Sequence, residues 1–120
     1  LTIGTGASEF CFSKVYFATT SEAIQQTLLS TNANDIMAIE YTIISTSSYT
    51  RQFNKMSTCI IGTSLNYIEY STLEVNGSTG DFIVAYDPGD IVTAPSIKLK
   101  VTPTSDNLTT YKLMVTTYKE

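Results

Sequence analysis

The chain has 120 residues, 42% of them hydrophobic and 15% charged, and a net charge of −4. That length suits one domain and is short for two; a chain of this size buries roughly two-thirds of its unfolded surface, enough for a core without metal or disulfide support. The seven basic residues are scattered, and Lys98 and Lys100 merely alternate along one strand-like run. The clustered footprint of a nucleic-acid groove or an anionic membrane surface is missing.

No apolar run approaches the roughly 20 residues of a membrane span, and the start carries no signal-peptide pattern. The first residue is Leu1 rather than methionine, which fits a processed or trimmed piece of a longer polypeptide. Residues 1–8 (LTIGTGAS) are small and glycine-containing and read either as a docking arm or as a frayed terminus. Residues 9–120 then form a single domain.

Glu9 to Ala18 is rich in aromatic and β-branched residues and suits a strand; Phe10 and Phe12 share one phase and Val15 and Phe17 the other, which predicts a bulge near Ser13 and Lys14. Ser21 to Ser30 supports a strand or a short helix capped by Ser21, with Ile24 and Leu28 on one face either way. Thr31 to Asp35 is a turn, and Ile36 to Ser45 is a strong strand with Met37, Ile39, Tyr41 and Ile43 on one face. Arg51 to Ile61 puts Phe53, Cys59 and Ile61 opposite Gln52, Asn54 and Met56, a mixed pattern that suits an edge or bent strand.

The stretch Asn66 to Val101 reads as a β-meander. Leu65, Tyr67, Glu69, Ser71, Leu73 and Val75 share a face, opposite Ile68 and Tyr70. Asn76-Gly77 is the strongest turn signal, because a type I′ turn needs positive φ at both central positions. Phe82, Val84 and Tyr86 follow as an inward row, then the turn Asp87-Pro88-Gly89-Asp90. Ile97, Leu99 and Val101 make the next inward row, and Tyr111, Leu113 and Val115 the last. About eight strands with turns every 10–15 residues indicate an all-β fold, an antiparallel two-sheet sandwich or jelly roll.

Catalytic chemistry finds little purchase. With no histidine, serine and cysteine nucleophiles lack their usual base. Cys11 and Cys59 lie in strand-like runs and read as buried free thiols rather than a bridge or a nucleophile. A glycosidase pair could be sought in Glu69 with Glu74, or Asp81 with Asp87. The first two differ by an odd number of positions and should face opposite sides; the second two sit at the two ends of one strand. A solvated face accounts for both. Asp87, Gly89 and Asp90 fall short of a full Ca²⁺ ligand set. Asn76-Gly77-Ser78 and Asn107-Leu108-Thr109 match the N-glycosylation sequon, as chance occurrences in an Asn-, Ser- and Thr-rich chain. Catalytic, cofactor and metal sites are all expected to be none. Tyr49, Tyr67 and Tyr118 are candidate surface aromatics for an interface.

The order Ala38-Ile39-Glu40-Tyr41, Tyr67-Ile68-Glu69-Tyr70, Gly80-Asp81-Phe82, Ile97 to Thr104 (IKLKVTPT) and Asn107 to Lys112 (NLTTYK) resembles β-domains of virion structural proteins from tailed, marine and cyanobacterial-type bacteriophages. There a Glu-Tyr strand leads through a hairpin into a Gly-x-Phe strand, a Thr-Pro strand and a Thr-rich closing strand. The resemblance spans roughly Gln25 to Lys119 and departs from that pattern in the longer segment Asp87 to Pro95. It implies no enzyme and no cofactor, but a structural subunit on the virion surface, assembled in the host cytoplasm. The implied partners are the major capsid protein or tail proteins and copies of itself, without nucleic acid or membrane. The role implied is head decoration or cementing; the alternative is a tail or fibre module that recognises a host glycan or receptor.

Overall fold

The computed structural model describes residues 10–120, so the arm 1–8 lies outside the described residues. Eight strands are present: β1 (Cys11–Thr20), β2 (Gln26–Asn32), β3 (Ile36–Ser47), β4 (Thr50–Ile61), β5 (Ser64–Val75), β6 (Gly80–Asp87), β7 (Ser96–Pro103) and β8 (Thr109–Lys119). They form a five-stranded sheet in the order β1-β8-β3-β4-β5 and a three-stranded sheet in the order β2-β7-β6, with every pairing antiparallel. This is the expected all-β sandwich.

The core is the interface between the two sheets. Ile39, Tyr41 and Ile43 of β3, Met56 and Ile60 of β4, and Tyr111, Leu113 and Val115 of β8 meet Phe82 and Val84 of β6 and Ile97, Leu99 and Val101 of β7. Those rows on β3, β6, β7 and β8 are the ones the alternation marked. The three-stranded sheet is too narrow to cover five strands. Strands β1 and β5 overhang it, and nearly every residue of β5 is exposed.

That overhang explains two departures from the sequence reading. In β1 no bulge occurs; the register with β8 is unbroken from Cys11 to Thr20. The apolar residues fall in both phases because neither face is fully buried, so burial does not enforce alternation. The bulge sits in β5 instead, at Tyr70, where Ser71 opposes Lys55 while Glu69 opposes Met56. Leu65, Tyr67 and Glu69 therefore face the small sheet's side, whereas Leu73 and Val75 face away from it.

Strand β4 is neither edge nor outlier: it lies between β3 and β5. Its mixed pattern arises because the buried phase carries the polar Gln52 and Asn54, both almost fully enclosed. Met37 is exposed and Ile36 buried in its place, because the β3–β8 register shifts between Ile36 and Ala38. Ser21 to Ser30 forms no helix; β2 begins at Gln26, a register irregularity at Leu28 lets both Leu28 and Leu29 pack on the core, and Ile24 is left exposed.

The meander is only half realised. Strands β6 and β7 pair antiparallel as a meander requires, but β5 and β6 belong to different sheets. Asn76 and Gly77 do adopt φ of 63° and 106°, as the turn chemistry requires. They turn the chain from one sheet to the other. Asn76 is held there by donating from Nδ2 to the Tyr49 carbonyl at 2.8 Å, while the Thr50 hydroxyl donates to the Asn76 carbonyl at 3.4 Å.

Gln52 fastens the crossover to the large sheet. Its Oε1 accepts from the Thr79 amide and the Ser78 hydroxyl, both at 2.9 Å, and its Nε2 donates to the Gly80 carbonyl at 3.0 Å and to Asn54 Oδ1 at 2.8 Å. From the far side, Thr104 donates its amide to the Thr79 carbonyl and its hydroxyl to the Ser78 carbonyl, both at 3.0 Å. A buried polar group is tolerable only when its partners are present, and here they are.

Candidate interaction face

The outer face of the five-stranded sheet, turned away from the core, holds the most unusual surface. The pleat puts Phe17, Lys112, Ile44, Phe53 and Leu73 in one row that crosses all five strands. Beside it run Val15, Met114, Thr42, Lys55 and Ser71. Phe17 is 73% exposed, Leu73 66% and Met114 51%. A sheet facing water on one side normally alternates apolar inward with polar outward. Here the outward phase carries Phe17, Ile44, Phe53 and Leu73 in one row, and contiguous apolar surface open to solvent marks a face that meets something.

The charge of this face also departs from that of the whole chain. Among the described residues, Lys55, Lys112 and Arg51 stand on it against the single carboxylate of Glu40, on a protein whose net charge is −4. The opposite outer face, on the small sheet, is polar: Asp81, Lys98 and Lys100 project from it, with Lys98 ion-paired to Asp87 at 2.8 Å. Lys55 lies 5.9 Å from the centre of the Phe53 ring, so part of the cationic charge sits over the aromatic row.

Farther along the same face is a shallow hollow of about 340 Å³, lined in part by Glu40, Ser57, Cys59, Ile68 and Tyr118. The Tyr118 hydroxyl is pushed up from its ordinary pKa, chiefly by the nearby Glu40 carboxylate and then by desolvation, with Cys11 and Tyr70 adding to it. The three tyrosines singled out by sequence do not form one platform. Tyr49 projects from the β3–β4 turn, Tyr67 has the inward phase opposite Thr58, and Tyr118 lies on the outer face. The bulged Tyr70 is the tyrosine near Tyr118, and no spacing in the sequence signals that.

Cys11 and Cys59 are free, as expected, but exposed rather than buried. They share a row on the outer face, with Tyr118 and Ala38 between them. Three strand spacings put them about 14 Å apart, beyond reach of a disulfide. Glu69 and Glu74 lie on the same side of β5, not opposite sides, because the bulge inverts the phase between them. They oppose Met56 and Gln52, four steps along β4 or about 14 Å, too far for the 5–9.5 Å of a glycosidase pair.

Asp81 follows Gly80 at the start of β6, on its outward phase, and Asp87 closes it. The Asp87 carboxylate accepts from the Gly89 amide at 2.9 Å, and Asp90 accepts from the amides of Val92 and Thr93 at 2.8 and 2.6 Å. These carboxylates organise the loop 88–95, whose tip exposes Ile91 and Val92 completely or nearly so. Among the described residues no group of three or more Asp, Glu, Cys or His is placed to hold a metal. Asn76 and Asn107 both lie in exposed turns.

Comparison with protein-family models, with curated proteins and with solved structures finds no match.

Proposed function

We propose that this domain is an architectural subunit of a tailed-phage virion, a decoration or cement protein of the head, and that the outer face of the five-stranded sheet is where it meets the particle. The observation that carries this reading is the apolar and locally cationic row Phe17-Lys112-Ile44-Phe53-Leu73, exposed at its ends and half-buried at Ile44 and Phe53, on an otherwise acidic chain. Such a face suits a broad, flat partner surface with apolar and acidic groups, and the reading also draws on the resemblance of the motifs from Ala38 to Lys112 to virion β-domains. The test is to mix the purified domain with expanded and mature heads. Binding at a fixed ratio to the capsid protein is expected, and Met114→Lys, a change at an exposed position in the middle of the face, should abolish it. Failure to bind any part of the particle refutes the proposal.

The alternative, a tail or fibre module that recognises a host glycan, has one feature in its favour: the hollow where Tyr118 and Glu40 stand beside Ser57, an aromatic face with polar groups. A glycan array decides it, with hits lost in Tyr118→Ala expected and an empty array counting against it.

A further inference from the structure

We propose that copies of this chain join edge to edge, β5 of one copy against β1 of the next, as a level, head-to-tail continuation of the five-stranded sheet. Among the described residues, β1 and β5 are the two unpaired edges of that sheet, 10 and 12 residues long. Neither contains proline or glycine, and the small sheet covers them only in part, burying Tyr16, Ala18 and Leu65 partly. Long edges of this kind present a row of unpaired amides and carbonyls to any strand that fits, and proteins that remain monomeric usually block them with charge or proline.

The charges on these edges select the partner. Lys14 is the only charged residue of β1, and Glu69 and Glu74 are the only ones of β5. One cross-strand row opens at Lys14, passes through Val115, Tyr41 and Met56, and ends at Glu69. All five belong to the inward phase, so Lys14 and Glu69 emerge on the same side of the sheet at opposite edges. Placing a second copy beside the first with no shift along the strands brings Lys14 against Glu69.

The same register satisfies the flanking rows. Phe12 meets Tyr67 on the inward side, since one row joins them through Thr117, Ile39 and Thr58. Phe17 meets Leu73 on the outward side. The bulge at Tyr70 does not disturb this match, because the rows on both sides of it run level across the whole sheet.

Four antiparallel pairings separate β1 from β5, so the two strands point the same way and the joint is a parallel pair. The operator is then a rotation about an axis along the strands, which can close into a ring. A two-fold contact of β5 with itself would instead gather four carboxylates at one seam, Glu69 and Glu74 from each copy. The outer apolar face stays open in either arrangement.

The test uses sedimentation and light scattering of the full chain across a concentration series. Concentration-dependent association is expected, with Lys14→Glu and Glu69→Lys each shifting it at least several-fold toward monomer. An equimolar mixture of the two variants should associate again, because every joint is then a Lys–Glu pair. Independently, Asn66→Cys in a Cys59→Ser background should form an interchain disulfide with Cys11 of the next copy on mild oxidation, since Cys11 and Asn66 end one row.

A wild-type chain that stays monomeric overturns the proposal. So does tighter association of Glu69→Lys alone, which would indicate the two-fold β5 contact, or a mixture that fails to recover. Lys14 and Glu69 have the inward phase, away from the face assigned to the capsid, so a negative result here leaves head binding by the monomer untouched.

Discussion

Replacing Gln52 by leucine should be the most damaging single change that keeps side-chain volume. Gln52 is 2% exposed and ties β4 to the segment where the chain passes between sheets. Leucine removes every hydrogen bond of the amide and leaves two well-buried groups without their partner. The Thr79 amide loses its acceptor, and Asn54 Oδ1 loses its donor; Thr79 and Asn54 are 2% and 1% exposed. At roughly 1–3 kcal/mol for each orphaned group the loss is about 4 kcal/mol, and the added apolar burial returns about 1. A net loss of about 3 kcal/mol, measured by urea unfolding at a slope of about 1.5 kcal/mol/M, moves the midpoint down by about 2 M.

Gln52→Glu supplies a second signature. Its carboxylate can still accept from Thr79 and Ser78, but it faces the Asn54 and Gly80 oxygens with no proton to donate. Burial and those oxygens would raise its folded pKa, so the damage should be full above that pKa and ease as the pH falls through it. A loss below about 1 kcal/mol for the leucine variant, at unchanged slope, would refute the view that this amide joins the sheets.

Gly89 sits at φ 71°, and a Cβ there would lie 2.2 Å from the Thr93 carbonyl oxygen, so Gly89→Ala should cost about 2–4 kcal/mol or unfold the loop 88–95, read by thermal melts and by exchange of the Thr93 amide. Tyr41 is buried with no partner for its hydroxyl among the described residues, so Tyr41→Phe should raise stability by about 1 kcal/mol in denaturant titration; a loss above about 1 kcal/mol would reveal a partner. Burial pushes the Tyr41 hydroxyl well above the ordinary tyrosine range, so the unfolded chain ionises first and stability falls above about pH 10, less steeply in the phenylalanine variant. Asp87, beside Lys98 and the Gly89 amide, and Asp90, holding the Thr93 and Val92 amides, both ionise more readily folded than unfolded. Their contribution is complete above about pH 4–5 and disappears as the pH drops through the folded values, a slope that Asp87→Asn and Asp90→Asn should flatten in acid titrations.

How much was legible follows from where each residue is buried. Phe82, Val84, Ile97, Leu99, Val101, Tyr111, Leu113 and Val115 alternate cleanly because water lies on one side of their strands and the core on the other. Gln52 and Asn54 blur the alternation of β4, since the burial of Gln52 depends on partners 26 or more residues away and that of Asn54 on Gln52 and on Thr72. Asn76-Gly77 makes the turn its residues dictate but not a hairpin. Local turn chemistry sets φ; it does not choose which sheet the next strand joins. Glu69 and Glu74 could be counted but not placed, because a bulge with no glycine leaves no mark in composition and inverts every later side chain. The candidate face was hardest to see, since Phe17, Ile44, Phe53 and Leu73 look like core residues until the topology shows which face is covered.

The mismatch of three strands over five ties these features together. A sandwich with sheets of equal width buries its apolar rows and leaves two pairs of edges facing solvent. Here the small sheet stops short, and the apolar core draws on β8, β3 and β4 alone among the large sheet's strands, with β1 and β5 contributing only partly buried apolar residues. The outer strands gain their ladder bonds from one neighbour and little from burial, so a chain that ended its interactions there would carry two long strands at small energetic return. Their sequences are nevertheless strongly β-forming, aromatic or branched in both phases, and opposite in charge. Such strands make physical sense when what covers them comes from outside the protomer: a second copy along the edges, and a flat partner across the outer face. The bulge at Tyr70 fits the same logic, because it turns Leu73 and Val75 to the outer face while leaving Tyr67 and Glu69 on the inner one.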